Sequence, residues 1–198
     1  PSQRQPSEND HLERLELLLK DYNSVGITGI VDRGAGDSSL NRFKKLRETN
    51  KLTVRLAASV SMGTSDPMEK LQASITKLSQ HPLRKPDPFI HIIGVKIFLD
   101  GGMLTGSAYM KKPWGISKIY SIEDPEYRGL LFLSREKLLG MVQATVEAGM
   151  QFTAHTVGDG AVETLVGVYE EVNKTKPVRA TRPCITHSNF MSREAVEA

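Results

Sequence analysis

The feature that most constrains this chain is an alternation. Short apolar runs at 27–32, 52–61, 91–99, 151–156 and 183–188 are separated by stretches whose apolar residues fall at helical spacing. Strand signals that alternate with helix signals predict a parallel sheet joined by right-handed crossovers. The helical stretches carry their own punctuation. Leu12, Leu15, Leu18, Leu19 and Tyr22 recur at steps of three and four from a start near Asn9, and Gly26 closes that helix. Ser38 or Ser39 caps a helix over 40–48, and Pro67 occupies the first turn of one over 66–79. Pro82, Pro86 and Pro88 mark a loop. Ser134 caps a helix that Gly149 ends, 160–172 forms another, and Ser192 begins a last one.

An open doubly wound sheet and a (β/α)8 barrel both satisfy this pattern. A complete barrel takes about 250 residues, and the chain has 198. The expected fold class is therefore α/β, a partial (β/α)8 TIM barrel of about five parallel strands with helices. Residues 1–9 are polar and read as a frayed N-terminal segment, and 10–198 as the barrel domain. The chain begins without Met and ends one turn into a helix, so an internal piece of a longer barrel is expected. An unclosed sheet has two unpaired edges, through which self-association is expected. Residues 100–133 show no period and carry five glycines and Trp114. A loop of this length in a compact domain is generally functional.

Composition narrows the class of function. With 39% hydrophobic and 25% charged residues the chain supports a packed core. Its formal charge of +3 is scattered, which argues against a nucleic-acid partner. No apolar run reaches the roughly 18 residues of a membrane span. A single cysteine, Cys184, excludes an internal disulfide framework, and the cytoplasm is the default location. A small-molecule substrate is the expected partner.

Three polar side chains stand out on the strands. Along His91–Asp100, Val95, Ile97 and Leu99 share one face, and Gly94, Lys96, Phe98 and Asp100 share the other. A lysine in the middle of a buried parallel strand is costly unless paired, metal-linked or covalently modified. Its readings are a snorkelling or ion-paired lysine, a Schiff-base lysine, or a metal-bridging carbamate. His155 and His187 stand at the C-terminal ends of successive strands, 32 positions apart. Parallel α/β proteins keep their chemistry at these ends, and neutral imidazoles on rigid strands are good zinc ligands. Cys184, three positions before His187, is assigned to the opposite face, toward the helices. His11, His81 and His91 read as surface residues. Asp159 reads as the N-terminal cap of the next helix, with a place beside the site as the alternative. Gly34-Ala35-Gly36 lacks the rest of any phosphate-binding fingerprint.

Three ordered segments carry a family resemblance. Val95-Lys-Ile-Phe-Leu-Asp-Gly101, with the tract through Ala108, resembles the strand-four segment of the YtcJ-like branch (amidohydrolase family 3) of the amidohydrolase superfamily. His155-Thr-Val-Gly-Asp-Gly-Ala161 is similar to that branch's strand-five motif, and Arg182-Pro-Cys-Ile-Thr-His187 to its strand-six motif. The resemblance covers about residues 10–198. It implies a metal-dependent hydrolase on a distorted barrel. Lys96 maps to a lysine carboxylated by carbon dioxide, and His155 and His187 to metal ligands. The cofactor implied is one or two divalent ions, zinc first among them. Such a metal lowers the pKa of bound water and polarises a carbonyl, so a C–N bond (amide, formamide or cyclic amide) would be cut by metal-activated hydroxide.

The resemblance also implies a strand-one His-x-His pair and a strand-eight aspartate that moves the proton. The sequence contains no His-x-His, and no catalytic residue is assigned within it. Thr186 stands where the family often has glutamate, and Gly-Gly-Met-Leu-Thr-Gly-Ser where it often has a Ser-Arg element. The chain by itself is expected to be inactive. Asp100, Trp114 and Asp159 are candidates for substrate contact or for support of the metal ligands. Two rival readings are a degenerate, non-catalytic binding module and a Schiff-base lyase that uses Lys96.

Overall fold

The structure, a computed structural model, describes residues 5–85 and 87–198. Residues 1–4 of the segment expected to be frayed, and Pro86 of the Pro-rich loop, lie outside the described residues, and Ser7 to Asn9 of that segment form the cap and first turn of a helix. Among the described residues five strands follow one another in the sheet in chain order. The chain divides into two compact units. One comprises the residues up to Ser61 with His81–Ile93, the other Met62–Gln80 with Gly94–Ala198.

The first unit begins with α1 (Glu8–Ser24). Its start is set by a reciprocal cap. The Ser7 hydroxyl accepts the Asp10 amide at 3.2 Å, and the Asp10 carboxylate accepts the Ser7 amide at 2.6 Å. Gly26, with φ +83°, follows the helix end as expected. β1 (Gly29–Ala35) pairs in parallel with β2 (Arg55–Ser61), and α2 (Asp37–Glu48) lies between them in sequence. Two expectations shift here. The strand runs into the predicted glycine turn, with a register irregularity between Asp32 and Ala35, because glycine tolerates a bulge. The residue that caps α2 is Gly36, whose amide donates to the Ser39 hydroxyl at 3.2 Å. His81, read as a surface residue, is half-buried, and its Nδ1 accepts the Leu83 amide at 3.1 Å.

The second unit holds α3 (Met68–Ser79), α4 (Arg135–Glu147), α5 (Asp159–Thr175) and α6 (Arg193–Glu197). β3 (Ile90–Phe98) enters it at Gly94 and pairs in parallel with β4 (Gln151–Thr156), which pairs in parallel with β5 (Cys184–His187). The register aligns Lys96 with Thr153, and Phe98 with His155. It also aligns Thr153 with Cys184 and His155 with Thr186. One face carries Val95, Ile97, Leu99, Phe152 and Ala154, all fully buried in a core with Leu138, Met141, Val142, Leu165 and Val168. The other face carries Lys96, Phe98, Thr153, His155 and Thr186. Cys184 belongs to this second face, which corrects the expectation that it points to the helices. Its register partner is Thr153, and Ile185 is the residue of β5 that packs on the core.

Residues 100–133 carry no long element, as expected, yet they are ordered by their own backbone. The outgoing and returning limbs are tied by Met110 N to Arg128 O at 2.7 Å and Trp114 N to Tyr127 O at 2.8 Å. Nearer the sheet, Leu130 N donates to Ser107 O and Phe132 N to Leu99 O. Gly129 is required where the limbs meet, because a Cβ there would collide with the Ala108 carbonyl and its φ is +95°.

Candidate metal centre

Three of the residues singled out by sequence come together at the second unit's open strand face. His155 stands at the penultimate position of β4, half-buried. His187 ends β5, and the two imidazole centroids lie 4.6 Å apart at an interplanar angle of 70°. Regular alternation would not have placed them so. Thr156 is the register partner of His187 and lies on the opposite side of β4 from His155. The backbone at His187 leaves the extended region, with φ +79°, and Ser188 follows at φ +45°. A left-handed non-glycine residue costs about 1–3 kcal/mol and persists where the surroundings impose it, commonly at functional sites. No local residue pattern announces this turn, so the sequence reading missed it.

Lys96 is 4% exposed. Among the described residues it makes no ion pair; its Nζ stands 3.4 Å from the Phe98 ring centroid. Phe98 in turn lies 4.9 Å, centroid to centroid, from His155. Burial lowers the pKa of Lys96, because a desolvated ammonium is disfavoured relative to the amine. Burial likewise lowers the pKa of His155, only partly offset by the Gly101 carbonyl and Asp100. Neighbouring His187 and Lys96 act in the same direction as burial. The site therefore favours neutral imidazole, which is the form that ligates metal.

The tautomer of His155 follows from its neighbour. Nε2 lies 3.2 Å from the Gly101 carbonyl, which can only accept, so Nε2 carries the proton and Nδ1 keeps the lone pair. Beside it, the Thr153 and Thr186 hydroxyls are 2.8 Å apart. Thr186 thus forms a neutral hydroxyl pair where a glutamate would bring charge.

The other candidates are placed differently. Asp100 is fully buried, and both oxygens accept backbone amides: Val157 at 2.9 Å, Gly158 at 2.8 Å and Tyr109 at 3.0 Å. Trp114 packs within its own loop, its Nε1 donating to Ala108 O at 2.8 Å and its ring set edge-on to Tyr120 at 5.7 Å. Asp159 is not the cap of α5. Gly158 occupies that position, where a Cβ would strike the Tyr109 carbonyl, and Asp159 instead accepts the Lys111 amide at 2.8 Å.

A divalent metal can be tested against these donors. Among the described residues no group of three or more His, Cys, Asp or Glu side chains is gathered for one. Two imidazoles are in place, and the remaining candidate is Lys96. An ammonium has no lone pair, whereas an amine or its carbamate does. The burial of Lys96 without a counter-charge favours those forms, so the chemistry of these donors suits a divalent metal.

Similarity to known proteins identifies the family and the fold. The amidohydrolase family model matches residues 2–198. The exoenzymes regulatory protein AepA of Pectobacterium carotovorum is 25% identical over 186 residues, 93% of this chain and 37% of that protein. The putative amidohydrolase YtcJ of Bacillus subtilis is 25% identical over 190 residues, 93% of this chain and 32% of that protein. Among solved structures, an uncharacterized metal-dependent hydrolase from Pyrococcus horikoshii superposes with TM-score 0.70 at 19% identity, covering 97% of this chain and 35% of that one. One from Pyrococcus furiosus gives 0.71 at 18% identity, with 98% and 37% covered. These superpositions support the expected fold class, a partial (β/α)8 barrel, and the chain spans about a third of the length of the relatives it matches. Since the family model matches nearly the whole chain, the chain belongs to the amidohydrolase family.

Proposed function

We propose that this chain contributes Lys96, His155 and His187 as ligands of a divalent metal in a hydrolase that cuts a C–N bond of an amide, formamide or cyclic amide. The observation that carries the reading is the adjacency of two imidazoles, 4.6 Å apart, at the strand ends beside a buried lysine that makes no ion pair among the described residues. Zinc, as one or two ions, suits imidazole and oxygen donors. Bound there, it would act as a Lewis acid toward a carbonyl and draw the pKa of its water toward about 7.

The chain's own residues do the rest. Conversion of Lys96 to its carbamate turns an ammonium into an anionic oxygen ligand and removes the cost of burying a cation. Gly101 holds His155 in the tautomer that presents Nδ1. Phe98, 51% exposed, offers an apolar surface beside the imidazoles and limits water at that side. Among the described residues no helix is long and apolar enough to cross a membrane, and we place the enzyme in the cytoplasm.

The test is metal binding by the whole chain with zinc and 13C-bicarbonate. A carbamate carbon signal and stoichiometric zinc are expected, both lost in Lys96→Met, His155→Gln and His187→Gln. Zinc uptake that none of the three substitutions alters would sink the assignment. The chemistry is then read in the longest natural protein that contains this segment, with N-acyl, N-formyl and cyclic amide substrates set against esters. Borohydride trapping of a carbonyl compound on Lys96 would instead favour Schiff-base chemistry.

A further inference from the structure

Asp100 is used by the fold in a way its neighbours are not. It is a carboxylate with no exposed surface, and it lies two residues beyond the end of β3. It accepts three backbone amides, which satisfy its oxygens out of water. Two of these amides, Val157 and Gly158, lie two and three residues beyond His155. The third, Tyr109, belongs to the long loop, and the Tyr109 carbonyl accepts the Ala161 amide of α5 at 3.2 Å. Gly158 lets the loop lie this close, since any side chain there would strike the Tyr109 backbone. The residue after Asp100 supplies the carbonyl that orients His155, and Oδ1 of Asp100 stands 3.8 Å from the same Nε2. Both oxygens are occupied and buried, so the carboxylate is committed to the protein rather than to a substrate.

We propose that Asp100 is a positioning residue, which gathers the Val157, Gly158 and Tyr109 amides onto one buried carboxylate and so sets where His155 presents its imidazole. This deepens the metal-site reading and rests on it for its purpose. Its geometry can be judged without a metal. The clamp joins the end of β3, the turn after β4 and the long loop at one point, so the angle of the His155 ring depends on all three. Asp159, which anchors the same loop through Lys111 without reaching His155, is the natural control.

The experiment uses the isotope-labelled whole chain, first metal-free, then titrated with Co2+. In the unaltered protein the Val157, Gly158 and Tyr109 amides should exchange slowly and the His155 and His187 rings should show a mutual NOE. In Asp100→Ala those three amides should exchange at least about ten-fold faster and the ring NOE should disappear, while Phe152 and Ala154 stay protected. Co2+ affinity should fall about 10–100-fold, with partial recovery in Asp100→Asn and no change in Asp159→Asn. An unchanged NOE and Co2+ affinity in Asp100→Ala overturns the proposal, as does equal loss of protection along the whole of β4. If Asp100→Ala does not fold, Asp100→Asn decides. A weakened NOE in a natively folded protein supports the clamp, and an unaltered one overturns it. If the unaltered chain binds no Co2+, the metal reading falls, while the ring NOE and the three amides still judge the clamp.

Discussion

The two faces of the β3–β4–β5 sheet contrast sharply. On one, Val95, Ile97, Leu99, Phe152 and Ala154 are fully buried against α4 and α5 side chains. On the other, alternate residues of the same strands present a lysine over an aromatic ring, a hydroxyl pair and the His155 imidazole, which the left-handed turn at His187 joins to a second. The period of two along each strand enforces the division. One face stabilises the fold by removing apolar area from water. The other accepts unfavourable terms, among them a buried cation and a left-handed histidine. The difference teaches that stability and chemistry are separable here by residue parity, and that substitutions on the two faces should move stability in opposite directions.

The largest effect is expected on the apolar face. Phe152→Ala removes a fully buried ring and should destabilise the chain by about 3–5 kcal/mol in urea denaturation. A loss under about 1 kcal/mol would mean that this core is loosely packed. Lys96→Met should go the other way. In metal-free buffer the apolar replacement should raise stability by about 1–3 kcal/mol, because it removes a buried ammonium that no carboxylate pairs among the described residues. Equal destabilisation by both variants would erase the contrast and reveal a stabilising partner for the lysine.

His187→Gly sharpens the same comparison at smaller scale. Glycine adopts φ +79° without a Cβ penalty, so a gain of about 1 kcal/mol is expected in metal-free thermal denaturation. Zinc binding should be lost in the same protein. A stability loss would indicate that the imidazole packs better than its backbone strain costs.

The smallest effect is a pH slope. His155 has a folded-state pKa below its ordinary value near 6.5, caused first by burial. The unfolded chain therefore binds this proton more readily. The contribution of His155 to stability is complete above about pH 6.5 and is lost as pH falls from there toward the folded-state pKa. Replacing His155 with Gln should flatten that part of the profile, measured as midpoint against pH without metal. An unchanged slope would place the titration elsewhere.

Much of this was legible in local sequence. The helix over Arg135–Glu147 with its Ser134 cap, and the strand over Gln151–Thr156, lie where caps and periodicity put them. The parity of Val95, Ile97 and Leu99 against Lys96 and Phe98 was readable because a strand has a strict period of two. The pairing of His155 with His187 was readable as one strand–helix unit between two strand ends. Cys184 was assigned the wrong face because its parity was counted from His187, the residue at which alternation breaks. Asp159 was assigned to a cap because the residue type suits one, whereas the close approach of Tyr109 reserves that position for Gly158.

The sequence by itself determined the succession of strands and helices, the division of the β3 and β4 residues between two faces, and the candidate ligand types. Each of these depends on side-chain period and backbone propensity over a few neighbours. Only the tertiary structure decided the left-handed turn that swings His187 toward His155, the tautomer held by Gly101, and the three amides gathered on Asp100. These depend on groups up to 58 positions apart, and no local window records which distant amide will satisfy a buried carboxylate.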